Sequence, residues 1–317
     1  MRRATHEPVR RTWVAAGFLF ILLCPLQAQK DATVPVFSAE TREVPLNITV
    51  ADKSGHLVTN LPESAFQIFE SNVPQKIKIF RREDTPVSMA LVVDNSGSMR
   101  QKRQAVEAAA LALVKDSNPQ DETCVINFNA DAYLDADFTG NLDKLQAGLE
   151  RIDSRGETAM REALRLAIEH LHDKGKRDKK VVIVVTDGND NASDPSFSIE
   201  RLVQLAEKND ILIYSIGLLD EEEKSEAAKA KRALNLLAQR TGGEVFYPKD
   251  LSEVDPIAHQ VARDIRNQYF IAYTPTNTAL DGTYRPIKVV VKAPGNPVPR
   301  SRLGYWAKAP AESPAPK

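Results

Sequence analysis

The segment 87–93, "VSMALVV", is almost continuously apolar, and similar runs return at 123–128, 181–185 and 211–217. Short runs of this kind suit strands buried on both faces. Between them the spacing changes: Leu142, Leu145, Leu149 and Ile152 recur at helical intervals after Asn141, a candidate N-cap. Helices are also predicted over 100–115, 159–172, 199–208 and 225–240, the last closed by Gly242-Gly243. Strands alternating with helices predict an α/β fold, a doubly wound, mostly parallel sheet with helices on both faces.

The two flanks read differently. From Val44 to Arg81, short strands ("VPLNITVAD", "AFQIFES", "KIKIF") are separated by the turn segments "KSGH" and "NVPQ", and the period-two alternation of "KIKIF" marks a half-buried antiparallel strand. After about 266 the β pattern returns in "QYFIAYTP", "RPIKVVVKA" and "RSRLGYW", with Asp281-Gly282 as a turn between the first two. Neither flank has enough strands to be stable alone. The two are therefore expected to pair as a β-sandwich-like unit with the α/β domain inserted between them; two separate small β units are the alternative. In this unit Tyr305 and Trp306 read as core rather than as a recognition platform.

Arg2, Arg3, Arg10 and Arg11 precede an apolar run from Trp13 to Leu23, too short to span a bilayer comfortably and followed by Leu26-Gln27-Ala28. That is the layout of a secretory signal peptide, with an uncleaved anchor as the rival reading. The chain thus divides into a signal peptide (1–28), an N-terminal β segment (29–84), the α/β domain (85–265), a C-terminal β segment (266–308) and a Pro- and Ala-rich disordered tail (309–317). Export places the protein outside the cell or in a periplasm, with association to the cell envelope as a further option. No integral membrane span is expected after cleavage.

Charged residues make up 27% of the chain with a formal net charge of -1, so no basic field exists to attract nucleic acid. After cleavage only Cys124 would remain, which excludes an intramolecular disulfide, and nothing near it in sequence would activate its thiol. It reads as a small buried hydrophobe.

The candidate chemistry lies at strand ends. "ALVVDNSGSM" carries its strand straight into Asp94, Ser96 and Ser98 on a turn eased by Gly97. "SRGETAM" sets Thr158 in a loop before a helix, and "VVIVVTDGND" ends its strand at Thr186-Asp187-Gly188. The carboxyl edge of an open α/β sheet is where ligands usually bind. Hydroxyls and carboxylates are hard donors suited to Mg²⁺, or to Mn²⁺ or Ca²⁺, as a single ion. His170 and His172, two residues apart, point to different helix faces and disfavour zinc. Asp220-Glu221-Glu222-Glu223 reads as a solvated loop, with a second cation site as the alternative. Asp190 and Asn191 read as a polar turn, with the rim of the metal site as the alternative.

"DNSGS", "GET" and "TDG", in that order and spacing, resemble the von Willebrand factor type A domain, whose fold is Rossmann-like and whose metal-ion-dependent adhesion site has an Asp-x-Ser-x-Ser segment, a distant Thr and a distant Asp. Those positions fall on Asp94, Ser96, Ser98, Thr158 and Asp187. The resemblance implies that the three hydroxyls bind the ion directly while the two carboxylates mostly hold its waters. Glu157 departs from the pattern, standing where many members have Gly. Together with the flanking β segments, the mature chain resembles a family of secreted bacterial proteins related to this domain, whose roles are largely unassigned.

The function this implies is binding rather than catalysis: an adhesion or scaffold module whose cation takes an exposed Asp or Glu from a protein partner. The alternative is a metal-dependent hydrolase or a serine hydrolase using Ser96. The chain lacks a Gly-x-Ser-x-Gly elbow and a Gly-x-x-x-x-Gly-Lys phosphate loop, and the ligand set holds no histidine base. A chelatase-type partner of an ATPase is a third reading, opposed by the signal peptide. Oligomeric state is left open.

Overall fold

The computed structural model describes residues 43–307 except 83, 151–154, 189, 220 and 221. The expected signal peptide and tail lie outside the described residues. In chain order the strands and α-helices are β1 (Val44–Ala51), β2 (Phe66–Glu70), β3 (Val73–Gln75), β4 (Ile77–Arg81), β5 (Val87–Asp94), α1 (Arg103–Lys115), β6 (Glu122–Phe128), β7 (Ala132–Thr139), α2 (Leu142–Glu150) and α3 (Met160–Lys174). They continue with β8 (Lys179–Thr186), α4 (Ile199–Lys208), β9 (Ile211–Gly217), α5 (Lys224–Thr241), β10 (Val245–Phe246), α6 (Val254–Arg266), β11 (Tyr269–Tyr273), β12 (Tyr284–Val291), β13 (Val298–Arg300) and β14 (Gly304–Trp306).

The central sheet runs β10-β9-β8-β5-β6-β7, parallel except for β7, which pairs antiparallel with β6 at the edge. All eight residues of β5 are buried, and their alternation divides the core. Met89, Leu91 and Val93 face a cluster completed by α1, α2 and α6, whereas Ala90 and Val92 face one completed by α3, α4 and α5. Hence the continuous apolar runs: β5, β6, β8 and β9 each have a helix layer on both sides. Cys124 lies in the second cluster, buried and free, and desolvation pushes its thiol far up.

β7 and α6 add to the elements predicted for the central domain. β7 is half exposed, so its sequence carries no long apolar run. In α6, Val254, Ala258, Val261, Ala262 and Ile265 do follow helical spacing, and Pro256 sits in the first turn, where proline is tolerated. Asn141 accepts a hydrogen bond from Lys144 N–H (3.1 Å) at the start of α2. Gly242, at φ +90°, closes α5 in the left-handed conformation.

Both flanks contribute strands to two antiparallel sheets, β13-β1-β11-β4 and β14-β12-β2-β3. Their inner faces share one core that includes Leu46, Ile48, Ile68, Tyr269, Ile271 and Tyr305. Three local expectations change. "NVPQ" is not a turn: β2 and β3 form a hairpin across Ser71 and Asn72, both at positive φ (48° and 65°), and Val73–Gln75 is strand. Asp281-Gly282 does not make a hairpin, because β11 pairs with β1 and β4 while β12 pairs with β2 and β14. "RSRLGYW" is not one strand: β13 and β14 belong to different sheets, and Leu303 N–H is held between them by Arg240 C=O (3.3 Å).

Candidate metal centre

β5 and β8 are parallel neighbours, and their carboxyl ends bring Asp94 and Thr186-Asp187 together. The strand order turns here, since β5 continues to β6 on one side and meets β8 on the other. Asp94 has both oxygens engaged: Oδ1 accepts Ser96 N–H (2.8 Å) and Oδ2 accepts the Thr186 hydroxyl (2.6 Å). Asp94 and Asp187 are each 0% exposed. Burial pushes the Asp94 carboxyl up to about 6, against the pull of its hydrogen bonds. A buried carboxylate of this kind is a place where added positive charge is stabilising.

After Asp94 the chain enters a 3₁₀ turn, Gly97–Gln101, before α1 begins. The turn presents the two serine hydroxyls in line: Ser96 Oγ and Ser98 Oγ are 3.1 Å apart, and Ser98 Oγ donates to Asp187 Oδ1 (2.8 Å). A hydroxyl that gives its proton to a carboxylate keeps its lone pairs for a cation. Ser96 is buried and Ser98 is exposed, so the row runs from the protein interior to its surface.

Thr158 arrives by a different route. Gly97 N–H donates to Gly156 C=O (3.3 Å), which joins its loop to the serine turn, and Arg155 N–H donates to Asn95 C=O (3.2 Å). Asn191 Oδ1 accepts Thr158 N–H (2.8 Å), while Asn191 and Ala192 N–H return to Thr158 C=O (3.0 and 3.1 Å). The structure thus links Asp94, Ser96, Ser98 and Asp187 through short hydrogen bonds, and attaches Thr158 through the backbone of its loop.

Several residues outside the expected ligand set support the site. Thr186 orients Asp94. Asn191 anchors Thr158, so the Asp190-Asn191 turn does serve the site through its second residue, whereas Asp190 ties Arg161 and Ser193 together. Lys102 donates from Nζ to Asp187 Oδ2 (2.8 Å), and Arg103 holds Asn95 Oδ1 (2.7 Å) and Leu149 C=O (2.8 Å). Within the acidic run, Asp220 and Glu221 lie outside the described residues, while Glu222 lies beside Gly188. A lysine eight residues after Asp94 was the one available sequence signal for Lys102, but its direction depends on how the 3₁₀ turn joins α1.

Among the described residues no group of three or more His, Cys, Asp or Glu forms a metal cluster. The donor set at β5 and β8 is of another kind, two carboxylates with hydroxyls, and fits a hard, partly hydrated cation such as Mg²⁺. The imidazoles of His170 and His259 are paired elsewhere, with Asp137 and Asp116.

Comparison with known proteins places the domain. Residues 89–189 match the family model of the von Willebrand factor type A domain. An uncharacterized protein of Synechocystis sp. is 27% identical over 172 residues, 53% of this chain and 39% of the relative, so the match spans well under half of that protein's length. A von Willebrand factor type A structure from Catenulispora acidiphila superposes with a TM-score of 0.51 at 15% identity, covering 77% of this chain and 72% of that one. Proximal thread matrix protein 1 from the mussel byssus, solved with a zinc-occupied MIDAS motif, superposes with a TM-score of 0.50 at 17% identity, covering 62% of this chain and 49% of that one. Fold, strand-end geometry and family match agree: this chain carries a von Willebrand factor type A domain.

Proposed function

We propose that the protein is an exported or envelope-associated binding module, of adhesion or scaffold type, that grips an acidic side chain of a protein partner through one divalent cation. The observation that carries this reading is the row Ser96 Oγ, Ser98 Oγ, Asp187 Oδ1, in which an exposed serine hydroxyl stands between a buried serine and a buried carboxylate. Ser96, Ser98 and Thr158 would hold the ion through hydroxyls, with Asp94 and Asp187 acting through its waters. A bound Mg²⁺ supplies residual positive charge and an exchangeable water position, which together favour an outside carboxylate. Thr186 keeps Asp94 turned inward, and Asn191 keeps the Thr158 loop in place. The surrounding loops read the partner's neighbouring surface.

A hydrolase reading has less support from the geometry. Ser96 Oγ lies against the Ser98 hydroxyl and the Asp94 carboxylate, and the imidazoles of His56, His170 and His259 lie against Asp52, Asp137 and Asp116. No helix among the described residues is long and apolar enough to cross a membrane.

The deciding experiment is a cross-linking pull-down from native envelope fractions with Mg²⁺ and with chelator, using wild type and Asp94→Ala. A partner captured by wild type only in Mg²⁺, and lost on neutralising one of its surface carboxylates, supports the reading. Equal capture in chelator would overturn it.

A further inference from the structure

Lys102 stands where the 3₁₀ turn becomes α1, and its ammonium and the Asp187 carboxylate form an ion pair with side chains 10% and 0% exposed. Asp187 thus bridges two systems: Oδ1 takes the Ser98 hydroxyl and Oδ2 takes the Lys102 ammonium, each at 2.8 Å. A buried carboxylate needs a positive partner, and here the chain supplies one itself.

Glu222 lies next to the residue that follows Asp187. A Cβ added to Gly188, the next residue, would stand 3.7 Å from Glu222 Oε1. The loop that carries Glu222 leaves β9 at Leu218, whose N–H is held by Thr186 C=O (2.8 Å), so it is tied to the same strand end as Asp187. Electrostatics agree with this placement: burial and the charge of Asp187 push the Glu222 carboxyl up, and the Lys102 ammonium pulls it down. Glu222 and Asp187 are therefore both within the field of one ammonium on a flexible four-carbon stem.

Resting on the metal reading above, we infer that Lys102 is the internal cation of the site and sets its affinity: its ammonium and a divalent ion compete for Asp187, and the displaced ammonium passes to Glu222. Two cations at one buried carboxylate repel, so arrival of the ion breaks the Lys102–Asp187 pair. Glu222 then gives the ammonium a partner without its moving to open water. In the absence of the ion, Lys102 keeps the two buried aspartates from acting as uncompensated charge, and the loops stay folded.

The test uses isothermal titration with Mg²⁺ and with Mn²⁺, and melting in chelator, on wild type, Lys102→Met, Lys102→Gln, Glu222→Gln and the double variant Lys102→Met/Glu222→Gln. Lys102→Met should bind either ion about tenfold tighter or more, yet melt about 5–10 °C lower in chelator. Lys102→Gln, which keeps a donor for Asp187, should fall between. Glu222→Gln should weaken binding several-fold in wild type and have no effect in the Lys102→Met background, since its role runs through the ammonium. Wild-type binding that is unchanged or weakened in Lys102→Met would overturn the inference and leave the metal reading standing. Silence of wild type and of every variant toward both ions would overturn the two together. An equal effect of Glu222→Gln in both backgrounds would overturn the transfer to Glu222. A Lys102→Met protein that folds only with Mg²⁺ would support the competition.

Discussion

Thr49 Oγ1, on the first strand of the flanking sheets, donates to Asp264 Oδ1 on the last helix of the α/β domain at 2.7 Å, 215 residues away in sequence. The other carboxylate oxygen accepts the Tyr214 hydroxyl (2.8 Å) and pairs with Arg300. Gln268 Nε2 donates to both Thr49 and Tyr214 at 3.1 Å. One buried carboxylate thus joins β9, α6, β1 and β13. Asp264→Ala would strand Tyr214, Thr49 and Arg300 without their common partner, and removal of one member of such a buried network costs about 3–5 kcal/mol. Denaturant unfolding followed by Trp306 fluorescence and by far-UV circular dichroism should coincide in wild type. It should separate into two transitions in the variant as the flanking sheets detach.

The domain division is a second matter to test. We propose that 29–84 and 266–308 form one folding unit and 85–265 the other. β11 sits between β1 and β4, so a fragment 29–265 would leave both strands without their shared neighbour. Amide exchange of that fragment should show 44–81 unprotected and the central strands protected. Full protection of 44–81 would mean that the N-terminal segment is stable by itself.

Mg²⁺ should raise the melting temperature of the whole chain. At about 100 times the dissociation constant the linkage is roughly 2.7 kcal/mol, a shift on the order of 5–10 °C for a chain of this size. Asp94→Ala should flatten the difference between Mg²⁺ and chelator. Identical curves for wild type in the two conditions would remove the case for a cation.

Thr158 and Asn191 should separate ligand from anchor. Thr158→Ala removes a hydroxyl while its backbone bonds to Asn191 remain. It should weaken Mg²⁺ binding about tenfold or more with little change of melting in chelator. Asn191→Ala leaves Thr158 N–H without its acceptor and should lower both affinity and melting temperature, the latter reflecting about 1–3 kcal/mol.

Lys179 makes a pH prediction away from the site. It is 8% exposed at the start of β8, with Nζ donating to Ile265 C=O, and burial holds its ammonium down at about 8 from the ordinary 10.5. Below pH 8 the lysine is protonated in both folded and unfolded chains, so the full penalty of burying the charge applies. Between pH 8 and 10.5 the unfolded chain holds more protons, and stability should rise with pH. At about 1.4 kcal/mol per pH unit the gain is about 3 kcal/mol. Subtracting the stability–pH curve of Lys179→Met from that of wild type should isolate this rise. A flat difference would show that Lys179 is neutral, or charged, in both states throughout.

The sequence by itself determined the parts of this protein that depend on local periodicity and turn chemistry. Continuous apolar runs marked β5, β6, β8 and β9 because helices cover both faces, and the polar residues that end β5 and β8 marked a sheet edge suited to a hard cation. The tertiary structure decided what depends on long-range pairing. It divided β11 from β12 and β13 from β14 between two sheets, since an alternating strand suits either face of a sandwich and its local pattern does not name its neighbour. It also decided which side chains meet at Asp187. Nothing in the local sequence of lysine 102 or of the acidic run that holds glutamate 222 names a distant partner, and only tertiary packing at the end of β8 brings them to one buried carboxylate.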